Sequence, residues 1–264
     1  MANYVHPTGE YAPYRITIPQ TEYEPQLPTL EAVIRDQRIL PAYSLLLGLC
    51  EDNLPLVLDL TEPAAGAFLI AGDSGFANTT LLHSVITSAF LLNSEHEVNV
   101  HLISPQADSL TQFHRQPNFK ISYQPDRPEC EIVLEEMVSL VQSRERSSKN
   151  QPIHTLFIDS LDILWDSISP QGKIWLNWVA SYGARHGLWV FATLETDYLK
   201  PELYRTVDCF PSRILGKMQM PGHAHYLSGL NRGNLHELTP ELEFRAYSEG
   251  ESFNIWLLPS ENDR

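Results

Sequence analysis

The pattern of apolar positions changes its period repeatedly along the chain, which predicts that strands alternate with helices. Short apolar runs, typical of buried strands in a parallel sheet, occupy residues 56–60, 67–71, 98–104, 155–159 and 187–193. Apolar side chains recur instead at helical spacing within residues 79–93, 129–146 and 172–185. The pattern therefore predicts an α/β fold, in which a mostly parallel sheet carries helices on both faces.

The two ends of the chain differ from this regular part. Prolines recur through the first 28 positions, and proline biases its neighbours toward extended backbone, so an arm with little helix is expected there. The arm either packs on its own domain or docks on a neighbouring subunit. We assign residues 1–40 to the arm and residues 41–264 to one domain, with short strands near residues 213–215, 242–247 and 253–258.

Composition and charge limit the classes of function. The 264 residues include 33 acidic and 18 basic side chains, which gives a formal net charge of −15. Nucleic-acid partners are disfavoured, because they require basic contacts to phosphates. Three widely spaced cysteines without a paired framework suit a reducing cytoplasm. No apolar stretch reaches membrane-spanning length and no signal peptide is recognisable, so we expect a cytoplasmic protein without membrane insertion.

The loop after the run at 67–71 has the context of a phosphate-binding P-loop, because it links a buried strand to an amphipathic helix. Residues 72–79 read GDSGFANT, against the pattern G-x-x-x-x-G-K-[ST]. In that pattern backbone N–H groups cradle phosphates, the lysine adds positive charge and the hydroxyl binds Mg²⁺. Ala77 and Asn78 replace the second glycine and the lysine. The candidate nucleotide-binding residues in this loop are Gly72, Gly75, Asn78, Thr79 and Thr80.

These two replacements weaken the loop as a nucleotide site. Asparagine carries no positive charge, and losing one charge-assisted contact costs about 1.5–3 kcal/mol of binding. Catalysis should lose more, because charge builds on the transferred phosphoryl group. Ala77 adds a β-carbon where the backbone often needs the freedom of glycine. Asn78 is a good helix N-cap that can stabilise the loop without nucleotide. ATP and Mg²⁺ are therefore not expected as required cofactors, and their binding is kept as an alternative.

Two other chemistries are disfavoured. Residues 72–75 resemble the nucleophile motif of serine proteases, but in those enzymes the motif comes late in an all-β chain and needs a histidine base. His223 and His225 are two residues apart, and Pro221 and Gly222 predict a loop there. With no cysteine or third histidine close by, no metal site is expected.

The ends of two later strands supply further candidate residues. Asp159 ends one strand, where P-loop ATPases hold Mg²⁺ through water, but Ser160 replaces the glutamate that polarises the attacking water. Asp159 capping the following turn is the alternative. Thr193 ends the next strand and is placed to face a γ-phosphate, whereas apolar Leu194 stands where glutamine is common. The four altered positions together argue against hydrolysis, and no residue is assigned as catalytic: Ala77, Asn78, Ser160 and Leu194.

In this order, these segments resemble the FtsK/HerA-type P-loop ATPases, including the tandem ATPase modules of type VII secretion motors. The resemblance covers residues 44–258 and rests on LLLGL at 45–49, LPLVLDL at 54–60, AGDSG at 71–75, FIDS at 157–160, ARHGLWVFAT at 184–193, PSRI at 211–214 and FNIWLLP at 253–259. It implies a RecA-like fold that commonly assembles into ring hexamers. It also implies that Arg185 or Arg213 is a trans-acting arginine near a subunit interface, unless each makes a structural ion pair.

Some modules of the secretion motors have degenerate sites and act as regulatory or substrate-binding domains. For this chain the resemblance thus implies a pseudo-ATPase that acts as an interaction, regulatory or scaffolding subunit. The expected partners are proteins, namely an active homologous ATPase or further copies of the chain. Two alternatives stay open. One is an atypical ATPase completed in trans by a partner, and the other is a DNA-bound motor subunit, which the net charge of −15 disfavours.

Overall fold

The computed structural model describes residues 27–36, 40–75, 77–105, 113–144, 151–229, 234–248 and 250–261. Its strands are β1 (Ser44–Cys50), β2 (Pro55–Asp59), β3 (Phe68–Gly72), β4 (Val98–Ile103), β5 (Phe119–Tyr123), β6 (Ile153–Ile158), β7 (Leu188–Glu195), β8 (Ser212–Leu215), β9 (Glu243–Ser248) and β10 (Glu251–Trp256). Its helices are α1 (Leu30–Asp36), α2 (Asn78–Leu92), α3 (Glu129–Arg144), α4 (Leu161–Ser167), α5 (Pro170–Tyr182), α6 (Tyr204–Val207) and α7 (Pro221–Ser228).

The ten strands form one mixed sheet in the order β2-β1-β10-β9-β8-β3-β7-β6-β4-β5. The six strands from β8 to β5 in this order are all parallel to one another. The remaining pairs, from β8 through β9 and β10 to β2, are antiparallel. The parallel part contains four of the five apolar runs, because its strands are covered on both faces. The run at 56–60 lies instead in β2, the edge strand of the antiparallel part.

Helices cover both faces of the parallel part, as predicted. Side chains alternate between the faces along each strand, so Phe68 and Ile70 join the core under α2 while Leu69 and Ala71 join the core under α3 and α5. These two cores hold an α/β fold together, which confirms the predicted fold class. Among the described residues, no helix is both long and apolar enough to cross a membrane.

Helix α1 lies within the segment assigned to the arm. Its Leu30 and Val33 pack against Leu46, Leu49 and Leu258, and the backbone N–H of Leu30 donates to the carbonyl of Pro259 at 2.9 Å. The last part of the segment therefore packs on its own domain. Residues 1–26 lie outside the described residues, so the role of the arm and its boundary with the domain stay predictions.

The loop predicted around His223 and His225 is wrong, because both residues lie in helix α7. Pro221 occupies the first turn, where its missing N–H is tolerated, and the helix ends at Gly229 with a left-handed φ of 68°. Residues two apart on a helix point about 200° apart, so the two imidazoles diverge. Among the described residues there is no group of three His, Cys, Asp or Glu side chains that could hold a metal ion.

Two histidines, His101 which is buried and His154 which is half-buried, join β4 to β6. His101 Nε2 lies 2.9 Å from His154 Nδ1, and the two rings stack with centroids 5.2 Å apart. Burial lowers the pKa of His101 to about 4 and that of His154 to about 3, with smaller contributions from Lys120 to both and from His101 and Arg144 to His154. The folded protein therefore holds both imidazoles neutral.

This pair predicts that acid destabilises the fold. Both folded-state pKa values lie below the unfolded value of about 6.5, so their contribution is complete above pH 6.5 and is lost as the pH falls toward 4. Below pH 6.5 the slope from each histidine should rise to at most about 1.4 kcal/mol per pH unit. Urea unfolding between pH 7 and pH 5 measures the slope. A variant with His101→Gln and His154→Gln should flatten it, whereas the exposed control His236→Gln should not. An unchanged slope in the double variant would contradict the prediction.

Candidate functional site

The candidate site lies at the carboxyl edge of the parallel strands. Strand β7 lies between β3 and β6, so the segments that follow these three strands meet at one edge of the sheet. The loop after β3 leads into α2, Asp159 follows β6, and Thr193 lies near the end of β7. Candidate residues taken from three separate motifs are thus brought together.

Asp159 is the centre of a network of hydroxyl groups. Thr79 Oγ1 and Thr193 Oγ1 each donate to Asp159 Oδ1 at 2.9 Å, and Ser104 Oγ donates to Asp159 Oδ2 at 3.1 Å. The backbone N–H of Ser160 donates to Thr193 Oγ1 at 2.7 Å. Asp159 is only 2% exposed. The carboxylate therefore ties together the ends of β4, β6 and β7 and the first turn of α2.

Asn78 does not take the N-cap role expected from the sequence. Ala77 holds the N-cap position without a capping side chain, and Asn78 is the first residue of α2. Asn78 is 6% exposed, and its Nδ2 donates to the carbonyl of Gly72 at 3.3 Å. Its Oδ1 is buried without a hydrogen-bond partner. The amide thus bridges the two ends of the loop instead of capping the helix.

Ala77 adopts the left-handed conformation that favours glycine, with a φ of 48°. We therefore expect Ala77→Gly to stabilise the chain by up to about 1 kcal/mol, since this conformation costs a residue with a β-carbon roughly that much. Gly75→Ala is the matched control, because it adds a β-carbon at a left-handed position instead of removing one. Its φ is +81°, and no atom of the described residues lies within 4 Å of an added β-carbon, so it should destabilise by backbone strain. Urea unfolding measures both, and a destabilising Ala77→Gly would contradict the prediction.

Carboxylates hold the first part of the loop. Asp73 Oδ2 accepts from the backbone N–H of Gln219 at 2.7 Å, and Asp73 Oδ1 accepts from the hydroxyl of Thr196. The hydroxyl of Ser74 lies 2.7 Å from Glu195 Oε2 and 3.0 Å from Asp197 Oδ2, as a donor shared between them. The carboxylates of Asp73, Glu195 and Asp197 therefore take part in the contacts of this part of the loop, whereas a phosphate site requires positive charge.

A cavity of about 450 Å³ opens beside the loop. Its described lining residues include two carboxylates and neither lysine nor arginine: Gly75, Ala77, Asn78, Thr79, Thr80, Glu195, Glu241 and Leu257. Thr79 and Asp159 keep the donor types of a magnesium site, but Glu195 and Glu241 would repel a triphosphate placed here. Burial and the nearby charge of Glu195 also raise the pKa of Asp162. The two carboxylates of the lining and the asparagine in place of lysine therefore oppose a triphosphate at this edge.

Three residues of the candidate site were not assigned from the sequence. Ser104 follows β4, and its place at the carboxyl end of a predicted strand was an available signal. Glu195 ends β7 directly after the candidate Thr193. Glu241 lies just before β9, in the antiparallel part of the sheet, and no motif connects it to the loop.

The two candidate trans-acting arginines lie in different environments. Arg185 is exposed in a 3-10 helix (Gly183–His186) that precedes β7, at the sheet edge opposite the cavity. Arg213 lies on β8, where its Nη1 donates to the carbonyls of Tyr226 at 3.1 Å and Leu227 at 2.6 Å. Its Nη2 lies 3.8 Å from Asp208, and the side chain is 16% exposed. Arg213 thus makes structural contacts within its own chain, and a role in trans stays a prediction for both arginines.

Solved structures of two secretion ATPases and a conjugation coupling protein have folds similar to that of this chain. EssC (ATPases 2 and 3) from Geobacillus thermodenitrificans superposes with a TM-score of 0.67 at 14% identity, covering 84% of this chain and 46% of that one. The cytoplasmic domain of the Thermomonospora curvata type VII secretion ATPase EccC gives 0.67 at 16% identity, covering 88% and 32%. The pCW3 conjugation coupling protein TcpA, in its monomer form with ATPγS, gives 0.70 at 10% identity, covering 90% and 70%.

These likenesses show that the chain has the α/β, RecA-like fold of P-loop ATPases, in the form found in type VII secretion and conjugation coupling proteins. The resemblance inferred from the motifs is confirmed at the level of the fold. The chain spans less than half the length of the two secretion ATPase chains. No protein-family model matches the chain, and no curated protein matches its sequence.

Proposed function

We propose that this chain is a P-loop module that does not hydrolyse nucleotide and acts as an interaction or regulatory subunit of a larger cytoplasmic assembly. One observation carries the proposal: the cavity beside the P-loop is lined by Glu195 and Glu241, and Asn78 stands where the phosphate-binding lysine belongs. Negative charge at this place opposes phosphate binding before any catalytic step begins. The replacement of the general base by Ser160 supports the same conclusion.

Protein partners suit this module better than nucleic acid. The net charge of −15 opposes contact with a phosphate backbone. The similar folds include type VII secretion ATPases, which supports a place for this chain beside an active homologous ATPase or in an oligomer of its own copies. In such an assembly the module would contribute contact surface, while the chemistry occurs in another subunit.

A phosphate-release assay tests this proposal. The purified chain should release no phosphate from Mg-ATP above the enzyme-free blank, and Asp159→Asn should give the same result. Asp159→Asn is a suitable comparison because it nearly preserves the volume at the centre of the network. Turnover by the wild-type chain that disappears in Asp159→Asn would overturn the proposal.

An atypical ATPase completed by a partner is the second candidate. It is favoured by one observation, namely that Thr79 Oγ1 still lies 2.9 Å from Asp159 Oδ1, as a magnesium site of this kind requires. It predicts phosphate release only after an active homologous ATPase is added, in excess of the activity of that ATPase alone. Phosphate release by the mixture that equals the release by the active ATPase alone would exclude it.

A further inference from the structure

We infer that the outer edge of strand β2 pairs with the same edge of a second copy of this chain, in an antiparallel ladder centred on Val57. Strand β2 (Pro55–Asp59) ends the ten-stranded sheet, and no other strand of the described residues pairs with its outer edge. The inference names the chain itself as a partner, and to that extent it rests on the interaction role in the proposed function.

The main-chain contacts of β1 show how the two edge strands are oriented. The backbone N–H of Ser44 donates to Asn93 Oδ1 at 3.2 Å, and the backbone N–H of Leu46 donates to Ser88 Oγ at 3.0 Å. Ser88 lies in α2 and Asn93 directly follows it. These two N–H groups of β1 therefore point toward α2 and away from β2.

The same register fixes which main-chain groups of β2 point outward. Ser44 lies opposite Asp59, and Leu46 lies opposite Val57. In an antiparallel pair, opposite residues that are not hydrogen-bonded to each other turn their N–H and C=O groups outward on both strands. Val57 and Asp59 therefore direct their main-chain groups to the open edge. The carbonyl of Pro55, two residues before Val57, points the same way.

These outward groups are complementary to themselves about a twofold axis at Val57. In the ladder, the two copies of Val57 exchange two N–H···O bonds, and the N–H of each Asp59 donates to the carbonyl of Pro55 in the other copy. The two remaining positions need no partner. Pro55 has no N–H, and the carbonyl of Asp59 already accepts from the N–H of Glu62 at 3.3 Å. No outward donor is left without an acceptor.

The side chains of β2 also permit this pairing. Natural sheet edges are often protected by lysine, and β5, at the other end of the sheet, carries the exposed Lys120. The only charged residue of β2 is Asp59. In the twofold ladder it faces Pro55, so the two carboxylates lie about 14 Å apart, beyond the screening length of about 8 Å. Leu54, next to the strand, is 59% exposed and adds apolar surface beside the edge.

Sedimentation velocity of the full chain over a range of concentrations tests the inference. The wild type should shift from monomer to dimer as the concentration rises. Val57→Pro removes the central donor of both copies but no bond to β1, because this N–H points outward. It should weaken dimerisation about tenfold or more, since two hydrogen bonds are lost. The control Val57→Thr keeps the N–H and a similar shape, so it should dimerise as the wild type does.

Amide hydrogen exchange followed by NMR gives a second readout on the wild-type chain, which decides the matter if Val57→Pro does not fold. The amides of Val57 and Asp59 should exchange slowly at concentrations where the dimer forms and faster after dilution. The amide of Leu58 points toward β1 in the same strand, so its protection should not change with concentration. Leu58 is therefore the internal control.

Four results would overturn the inference. They are a monomer at every concentration, a dimer in which the amides of Val57 and Asp59 stay unprotected, undiminished dimerisation of a folded Val57→Pro variant, and protection of Val57 in the monomer, which would place another segment of the same chain on this edge. If the chain is monomeric and phosphate release stays at the blank, the proposed function survives with a different partner. Hydrolysis of Mg-ATP that depends on Asp159 would instead overturn the proposed function and leave the interface standing.

Discussion

Replacing Asp159 by alanine should lower the free energy of unfolding by about 3 kcal/mol, although the proposed function gives this residue no catalytic role. The substitution leaves the hydroxyls of Thr79, Thr193 and Ser104 without their shared acceptor. Each hydrogen bond to a charged group contributes about 1.5–3 kcal/mol, offset here in part by the cost of burying the carboxylate. Urea unfolding at pH 7 measures the loss.

Two comparison variants separate the network from simple loss of an acid. Asp159→Asn keeps one acceptor oxygen and places an amide beside Ser104, whose hydroxyl can accept as well as donate, so about 1 kcal/mol should be lost. Asp126→Ala removes an exposed acid and should change stability by less than about 0.5 kcal/mol. If Asp159→Ala costs no more than Asp126→Ala, the network does not stabilise the fold.

Restoring the missing charge should create nucleotide binding. A variant with Ala77→Gly and Asn78→Lys regains the P-loop pattern, and one charge-assisted contact of about 1.5–3 kcal/mol corresponds to roughly 10- to 150-fold in affinity for Mg-ATP. Part of this gain should be lost because Glu195 and Glu241 can neutralise the new lysine. Adding Glu195→Gln and Glu241→Gln should therefore strengthen binding by a further factor of about ten. Isothermal titration measures each step.

The matched control has Ala77→Gly with Asn78→Met, which has comparable length but no charge. It should bind Mg-ATP no better than the wild type. If the methionine variant gains as much as the lysine variant, the shape of the loop and not its charge limits binding. If the two added glutamine substitutions have no effect, the acidic lining does not oppose phosphate.

The parallel part of the fold could be predicted because strands buried on both faces appear in the sequence as continuous apolar runs. The apolar runs at β3, β6 and β7 mark strands that touch a core on each side. Helix α4 follows Asp159 directly and has only seven residues, so it shows too few turns for a clear period. Helix α1 is also only seven residues long and follows the proline-rich segment, where the composition favours extended backbone.

The site was predictable in its motifs and not in its side-chain geometry. The spacing of Gly72 and Thr79 and the strand end at Asp159 identified the loop and its partner strand. The sequence favoured Asn78 as an N-cap from the preference of asparagine for that position. The left-handed turn at Ala77 shifts the helix start by one residue, so the amide points back toward Gly72. Glu241 lines the cavity because the antiparallel part of the sheet brings the start of β9 close to the loop. No local sequence pattern predicts that contact.

Thermal unfolding with and without Mg-ATP tests the central claim most directly. A ligand that binds only the folded state stabilises it by mass action, by about 2.7 kcal/mol at a hundred times its Kd. Because an acidic cavity without a lysine should not hold a triphosphate, we predict the same melting temperature at every nucleotide concentration, with Mg²⁺ alone as the reference. A rise in melting temperature that grows with nucleotide concentration, requires Mg²⁺ and disappears in Asp159→Asn would contradict the claim.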